Sequence, residues 1–161
     1  MIILLNGSIN SGKSTVARIL AKKISNTANI EVDELREFVN FLPLEDSIKL
    51  NIENAALLAE NFVKKGYNAI ITYPLYKADY DYLIEEFEST NQKIFVFTLS
   101  PKLEIALTNR GKRKLTNWEI KRIKYHFDTG IPKPSFGIII DNSNQKPEET
   151  VEKILEIIES K

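Results

Sequence analysis

Residues 7–14 read Gly7-Ser8-Ile9-Asn10-Ser11-Gly12-Lys13-Ser14. They follow an apolar run, Ile2–Asn6, and precede a pattern in which Val16, Ile19 and Leu20 share one helical face. The sequence therefore predicts a strand, a tight loop and a helix in that order. Glycine at the two ends of the loop permits the sharp backbone path that such a connection needs.

The chemistry of this loop suits a polyphosphate. Backbone N–H groups of a glycine-containing turn and of the following helix N-terminus all point towards a bound anion. Lys13 is placed to reach the β- and γ-phosphates, and the Ser14 hydroxyl to coordinate Mg²⁺. A random match to this pattern arises roughly once in a few hundred chains of this length. We therefore predict ATP and Mg²⁺ as cofactors, with the nucleotide-binding residues Gly7, Asn10, Ser11, Gly12, Lys13, Ser14 and Thr15.

Length and composition are those of one globular unit. The 161 residues are 43% hydrophobic and 27% charged, which favours a single domain over residues 1–161. The 22 basic and 22 acidic side chains cancel, so no overall field attracts nucleic acid or an anionic membrane. The chain has no cysteine, which excludes disulfides and thiolate metal sites.

No apolar run approaches the length of a membrane span, and the apolar opening is too short for a signal-peptide core. We expect a cytoplasmic protein with no membrane partner. The sequence leaves open whether it is a monomer or a homodimer.

Short apolar runs alternate with amphipathic stretches along the whole chain, which predicts βαβ units and a parallel sheet. The predicted strands are Ile2–Asn6, Asn29–Val32, Ala69–Thr72, Ile94–Leu99 and Gly137–Ile140. The predicted helices are Lys13–Ile24, Asp33–Phe41, Asp46–Lys65, Ala78–Ser89, Pro101–Thr108, Asn117–Phe127 and Pro147–Ser160.

Two features narrow the class of protein. The chain lacks the Asn-Lys-x-Asp signature of guanine-nucleotide binding, and the third predicted strand continues into Thr72-Tyr73-Pro74 where many ATPases place an aspartate. With its Walker A loop near the N-terminus, the chain resembles the small P-loop kinases: shikimate and gluconate kinases, chloramphenicol phosphotransferase and the nucleoside monophosphate kinases. The resemblance implies a three-layer α/β fold whose five-stranded parallel sheet has the order 2-3-1-4-5.

The same resemblance assigns the acceptor side of the site. Glu31–Arg36 lies at the carboxyl end of the second predicted strand, where related kinases place an acidic residue that orients or deprotonates the acceptor hydroxyl or holds a Mg²⁺-bound water. Asp33 is the candidate for that role, and Arg36 the candidate for gripping an anionic or polar acceptor. The alternative is that Asp33 is a helix N-cap and Arg36 is solvated.

A basic segment, Thr108–Lys114, resembles the lid of such kinases, which we place at about residues 109–116. Arg110 and Arg113 are the candidates for neutralising charge on the transferred phosphoryl group. The alternative is a basic surface loop or a weak nucleic-acid patch.

Three further interpretations concern single residues. The loop after the last strand, with Asn142 and Ser143, resembles the loop that borders adenine, although both residues are also common turn formers. Tyr73 is a candidate substrate-binding residue, and with Tyr76 it could shape a pocket or simply pack. His126 and Trp118 are interpreted as packing residues without a catalytic role.

The sequence thus predicts an ATP-dependent phosphotransferase acting on a small-molecule hydroxyl, of shikimate kinase-like or antibiotic phosphotransferase-like type. One alternative is a nucleoside monophosphate kinase, although the Asp-Gly-Phe-Pro-Arg segment of adenylate kinases is replaced by Thr72-Tyr73-Pro74-Leu75. Another is a non-catalytic ATP-binding regulatory module.

Overall fold

The computed structural model describes residues 1–39, 42–109 and 114–161. Five parallel strands form one sheet in the order β2-β3-β1-β4-β5. They are β1 (Ile2–Gly7), β2 (Thr27–Glu31), β3 (Asn68–Thr72), β4 (Ile94–Leu99) and β5 (Ile138–Ile140). The predicted three-layer fold and strand order are confirmed.

The described residues also form seven α-helices and one 3₁₀ turn, at Arg36–Phe38. The helices are α1 (Lys13–Lys23), α2 (Val32–Leu35), α3 (Leu44–Lys64), α4 (Lys77–Glu88), α5 (Leu103–Ala106), α6 (Asn117–Asp128) and α7 (Pro147–Glu159). No helix among the described residues is long and apolar enough to cross a bilayer.

The central strand β1 is buried on both faces, which explains why its sequence is a continuous apolar run. Ile2 and Leu4 belong to the core beneath α3 and α4, whereas Ile3 and Leu5 belong to the core beneath α1 and α7. Each of these four side chains is fully buried, and burying a side chain of this size stabilises the fold by about 1.5–3 kcal/mol. The two cores fix β1, and with it the loop that follows.

The helix predicted at residues 33–41 is wrong as a single element. Only α2 and the 3₁₀ turn form, and Val39 is already extended at φ −121°; Phe41 lies outside the described residues. Val32 and Leu35 are buried, but every residue from 36 to 39 is exposed. Without an apolar face to pack, further helical turns gain no stabilisation.

The helix predicted at Pro101–Thr108 shortens to the single turn α5. At its start, Lys102 is non-helical with a ψ of 150°. At its end, Asn10 of the phosphate loop donates from its side-chain Nδ2 to the carbonyls of Ala106 and Thr108, both at 2.9 Å. A side chain from another element thus satisfies acceptors at the end of the turn.

Candidate active site

A cleft of about 370 Å³ opens at the carboxyl ends of the strands, above the end of β1. The phosphate loop forms its floor, and its walls come from the segments after β2 and β3, from α3 and from α6. Parallel strands joined by helices bring their carboxyl ends to one edge of a sheet, so residues distant in sequence meet there.

Glycine is required in the loop on steric grounds. Gly7 has a φ of 146°, and a Cβ at this position would lie 2.6 Å from the carbonyl oxygen of Leu99 and 2.6 Å from Ser11 Oγ. Gly12 has a φ of 96° at the start of α1. Ser11 N donates to the Ser8 carbonyl at 3.2 Å and closes the turn between them. This backbone path fits a phosphate-binding loop. Its backbone N–H groups must approach the phosphate closely, and a side chain would block that approach.

Lys13 extends back along its own loop. Its Nζ donates to the Ser8 carbonyl at 2.9 Å and lines the cleft. Burial lowers the pKa of Lys13 to about 8, although the carboxylates of Asp33 and Glu31 oppose that shift. A nearby phosphate would favour the charged ammonium form still more strongly.

The other residues of the loop divide between the cleft and its surroundings. Asn10 and Ser14 line the cleft, Ser11 is fully buried beneath the loop, and Thr15 is exposed and lies outside the cleft lining. In the described part of the chain, no group of three carboxylate or imidazole side chains forms a metal site. The Ser14 hydroxyl fits Mg²⁺ nonetheless, because this ion usually keeps waters and takes phosphate oxygens as ligands.

The acidic segment after β2 supplies one wall. Asp33 and Arg36 both line the cleft. Burial raises the pKa of the Asp33 carboxyl, while the charges of Lys13 and Arg36 lower it and Glu31 raises it further. Asp33 still exposes part of its surface to solvent, so solvent moderates these effects.

The alternative reading of Asp33 as an N-cap is wrong, because the N-cap of α2 is Glu31. Glu31 is itself engaged, since the Arg18 guanidinium lies 3.1 Å from its Oε1. Asp33, in contrast, lines the cleft, and its carboxylate interacts with the charge of Lys13.

Helix α6 supplies the opposite wall, which sequence reasoning missed. Trp118, Glu119, Arg122 and His126 all line the cleft. Their spacing, with 119, 122 and 126 separated by three and four positions, places them on one helical face and was a signal that could have been used. Arg122 is half-buried, with its guanidinium 5.1 Å from the centre of the Tyr125 ring.

One interpretation on α6 is wrong, and another is confirmed with an added contact. Trp118 is 57% exposed at the cleft, so its assignment to packing is wrong. His126 is buried, as predicted for a structural residue, but it contacts the phosphate loop: its Nδ1 lies 3.3 Å from Ser8 Oγ.

The tyrosines after β3 have different surroundings. Tyr73 lines the cleft, and burial, together with the charge of Asp33, raises the pKa of its hydroxyl well above the usual range. Tyr76 also lines the cleft and precedes α4, where its backbone N–H donates to Asp79 Oδ2 at 3.0 Å. A raised pKa keeps both hydroxyl groups neutral at neutral pH.

The loop after β5 braces the phosphate loop from outside the cleft lining. Asn142 is buried and its Nδ2 donates to the Ser11 carbonyl at 2.9 Å. Ser143 Oγ accepts from the backbone N–H of Lys102 at 2.9 Å. A border for adenine formed by this loop stays a prediction. Arg110 and Arg113, the predicted phosphoryl-binding residues of the lid, lie outside the described residues.

No family model matches the chain. A protein of Sulfurisphaera tokodaii named "Putative adenylate kinase" is 31% identical to it, over an alignment covering 96% of the chain and 81% of the relative. The chain belongs to the P-loop kinases.

Solved structures share the fold of this P-loop kinase. A sugar kinase from Janibacter sp. HTCC2649 superimposes with a TM-score of 0.73 at 19% identity, over 98% of the chain and 94% of that structure. Shikimate kinase from Aquifex aeolicus gives 0.64 at 21% identity, over 99% and 97%. Thymidylate kinase from Candida albicans gives 0.68 at 17% identity, over 99% and 91%. The resemblance to small P-loop kinases is thereby confirmed.

Proposed function

We propose that this P-loop kinase transfers the γ-phosphate of ATP to a hydroxyl group of an anionic small molecule. The observation that carries the proposal is that Lys13, at the base of a glycine-bounded phosphate loop, and Asp33 face one cleft. A cation for the transferred phosphate and a carboxylate for the acceptor are thereby available side by side.

The chemical step balances with these residues. The acceptor oxygen forms a bond to the γ-phosphorus, the bond from that phosphorus to the bridging oxygen of ADP breaks, and the acceptor proton passes to the Asp33 carboxylate. Lys13 stabilises negative charge on the phosphoryl oxygens. The Ser14 hydroxyl would hold Mg²⁺ when it binds with ATP, and the ion would neutralise part of the phosphate charge.

Arg36 and Arg122 support an anionic acceptor. They line the cleft from different walls, α6 on one side and the 3₁₀ turn on the other. Arginine suits carboxylate and phosphate groups because its planar donors can bind two oxygens at once. Tyr73 and Trp118 add aromatic surface for the uncharged part of the acceptor.

A nucleoside monophosphate kinase is the second candidate, and the name of the Sulfurisphaera tokodaii relative favours it. A monophosphate would engage the same arginines, and its base could stack on Trp118. In that case the acceptor atom is a phosphate oxygen that needs no general base. Asp33 then matters for metal and substrate placement only.

The test combines an acceptor screen with one substitution. Purified protein, ATP and Mg²⁺ are incubated with hydroxy acids, sugar acids, aminoglycoside and amphenicol antibiotics, and nucleoside monophosphates, and phosphorylated products are measured by mass spectrometry. With the best hydroxyl acceptor, Asp33→Asn should lower kcat by roughly two to four orders of magnitude, the range of general-base contributions. ATP affinity should be retained.

Glu34→Gln is the matched control, because Glu34 is an exposed neighbour that does not line the cleft. It should retain the rate of the unsubstituted protein. Transfer to nucleoside monophosphates alone would support the second candidate. Tight ATP binding without transfer to any acceptor would contradict both and favour a non-catalytic ATP-binding module.

A further inference from the structure

The buried histidine of α6 meets the phosphate loop at one residue. His126 is 2% exposed and lies in the last turn of the helix. Its Nδ1 is 3.3 Å from the hydroxyl of Ser8, which is itself fully buried. Ser8 is the second residue of the loop, directly after Gly7.

Ser8 is also the residue that binds the ammonium group of Lys13. Its carbonyl accepts from Lys13 Nζ at 2.9 Å and from the backbone N–H of Ser11 at 3.2 Å. The orientation of the Ser8 peptide therefore determines both the turn of the loop and the direction of the Lys13 side chain. The Ser8 side chain faces His126, so a hydrogen bond made by the Ser8 hydroxyl restrains the orientation of the Ser8 peptide group.

A second connection holds the histidine in place. The His126 carbonyl accepts from the backbone N–H of Ile131 at 3.0 Å, and the Ile131 carbonyl accepts from Asn6 Nδ2 at 3.3 Å. Asn6 is the residue of β1 just before the loop. The end of α6 is thus attached to the chain on both sides of Gly7, and its position relative to the loop is fixed by two independent contacts.

We propose that His126 is a positioning residue for phosphoryl transfer: through the Ser8 hydroxyl it holds the phosphate loop in the shape that presents Lys13 to the nucleotide. The proposal rests on the proposed function only in requiring that the loop bind a nucleotide. It also joins the two sides of the cleft, because the same helix carries Arg122.

The electrostatic surroundings keep this imidazole neutral. Burial is the main cause that lowers the pKa of His126 to about 4, and the positive charges of Arg122, on its own helix, and Lys13, on α1, act in the same direction. A neutral imidazole has one donor and one acceptor nitrogen, so it can form a defined hydrogen bond with a hydroxyl group.

A histidine that only filled space would behave differently. Its replacement would lower the free energy of unfolding and leave the nucleotide affinity of the folded protein unchanged. A histidine that positions the loop through Ser8 must alter nucleotide affinity, and its effect must depend on the Ser8 hydroxyl.

The experiment measures binding of ADP to the full chain by isothermal titration calorimetry, which needs no acceptor. His126→Leu and Ser8→Ala should each weaken ADP binding about 2- to 10-fold, the value of one hydrogen bond. The double variant should be no weaker than either single variant. His126→Asn, whose amide reaches the position of Nδ1, should restore binding, whereas His126→Gln should not. Lys124→Ala, at an exposed position of α6 away from the cleft, is the matched control.

Unaltered ADP affinity in His126→Leu, or strictly additive losses in the double variant, would overturn the positioning role and leave the proposed function standing. Equal affinities of the Asn and Gln variants would overturn it as well, and this comparison remains decisive if the Leu variant does not fold. Failure of the unsubstituted protein to bind either ADP or ATP would overturn the proposed function, and the positioning role with it.

Discussion

Lys13 and His126 are ionisable groups whose charge is opposed by their surroundings. Burial lowers the pKa of both residues. The positive charge of Lys13 also lowers the pKa of His126. The negative charge of a polyphosphate bound beside Lys13 would favour the protonated form of this lysine. Protonation of these two residues is therefore linked to ligand binding and to folding.

The first prediction concerns proton uptake by Lys13. With a pKa of about 8, Lys13 is partly deprotonated at pH 8, and the phosphates of ADP should restore its proton. Binding at this pH should take up to about half a proton per ADP. Calorimetric titrations in two buffers of different ionisation enthalpy measure the uptake. It should disappear in Lys13→Ala; persistence there would assign it to another group.

The second prediction concerns acid stability and His126. Its pKa is about 4 in the folded chain and near 6.5 in the unfolded chain, so the unfolded chain binds the extra proton between these values. The free energy of unfolding should therefore fall as the pH falls through this range, by about 2 kcal/mol between pH 7 and pH 5. Urea denaturation of the protein and of His126→Gln measures it. The Gln variant should lose this part of the pH dependence; identical slopes would contradict the assignment.

At the scale of elements, two connections join the phosphate loop to helices that are remote in sequence. Asn10, at a φ of 62°, donates to carbonyls at the end of α5, and Asn142 donates to Ser11 from the loop before α7. Asparagine adopts positive φ more easily than most residues, which suits it to a loop that must also supply side-chain donors. The loop is thus held from both sides before any ligand binds.

The third prediction tests the Asn10 connection. Asn10→Ala removes two hydrogen bonds and places alanine at positive φ, so the free energy of unfolding should fall by about 1–3 kcal/mol. Asn10→Gly tolerates this backbone conformation and isolates the loss of the hydrogen bonds. Urea denaturation should rank the unsubstituted protein above Gly, and Gly above Ala. If Ala were as stable as the unsubstituted protein, the contacts with Ala106 and Thr108 would contribute nothing.

At the scale of the whole molecule, the fold brings the cleft together from five separate parts of the sequence. They are the loop after β1, the segments after β2 and β3, α3 and α6, which meet at the carboxyl edge of the parallel sheet. A ligand that contacts all five restrains elements that the unfolded chain leaves far apart. Its binding free energy therefore adds to the stability of the fold.

The fourth prediction is thermal stabilisation by nucleotide. Mg²⁺-ATP at about 100 times its Kd should add about 2.7 kcal/mol, which for a chain of this length raises Tm by roughly 5–10 °C. Lys13→Ala should keep its fold, since Lys13 faces the cleft, but show little of this shift. Differential scanning fluorimetry measures both. A full shift in Lys13→Ala would show that the lysine does not bind phosphate.

The strand, phosphate loop and first helix were determined by the sequence itself. Glycine spacing and apolar periodicity are local properties, and β1 is buried on both faces, so its sequence pattern leaves little choice. The strand order was also correct, through the resemblance to kinases of this size. The sequence also placed Asp33 and Arg36, which line the cleft, because they lie just after a strand, where sites of parallel sheets form.

Only the tertiary structure decided what α6 contributes. Its sequence predicted a helix, but which face meets the cleft depends on how the helix is oriented by the rest of the fold. Trp118 was therefore assigned to packing although it is exposed at the cleft, and the contact of His126 with Ser8 joins residues 118 positions apart. Local patterns carry no information on such a pairing, because long-range contacts arise only when the helix and sheet layers pack against each other.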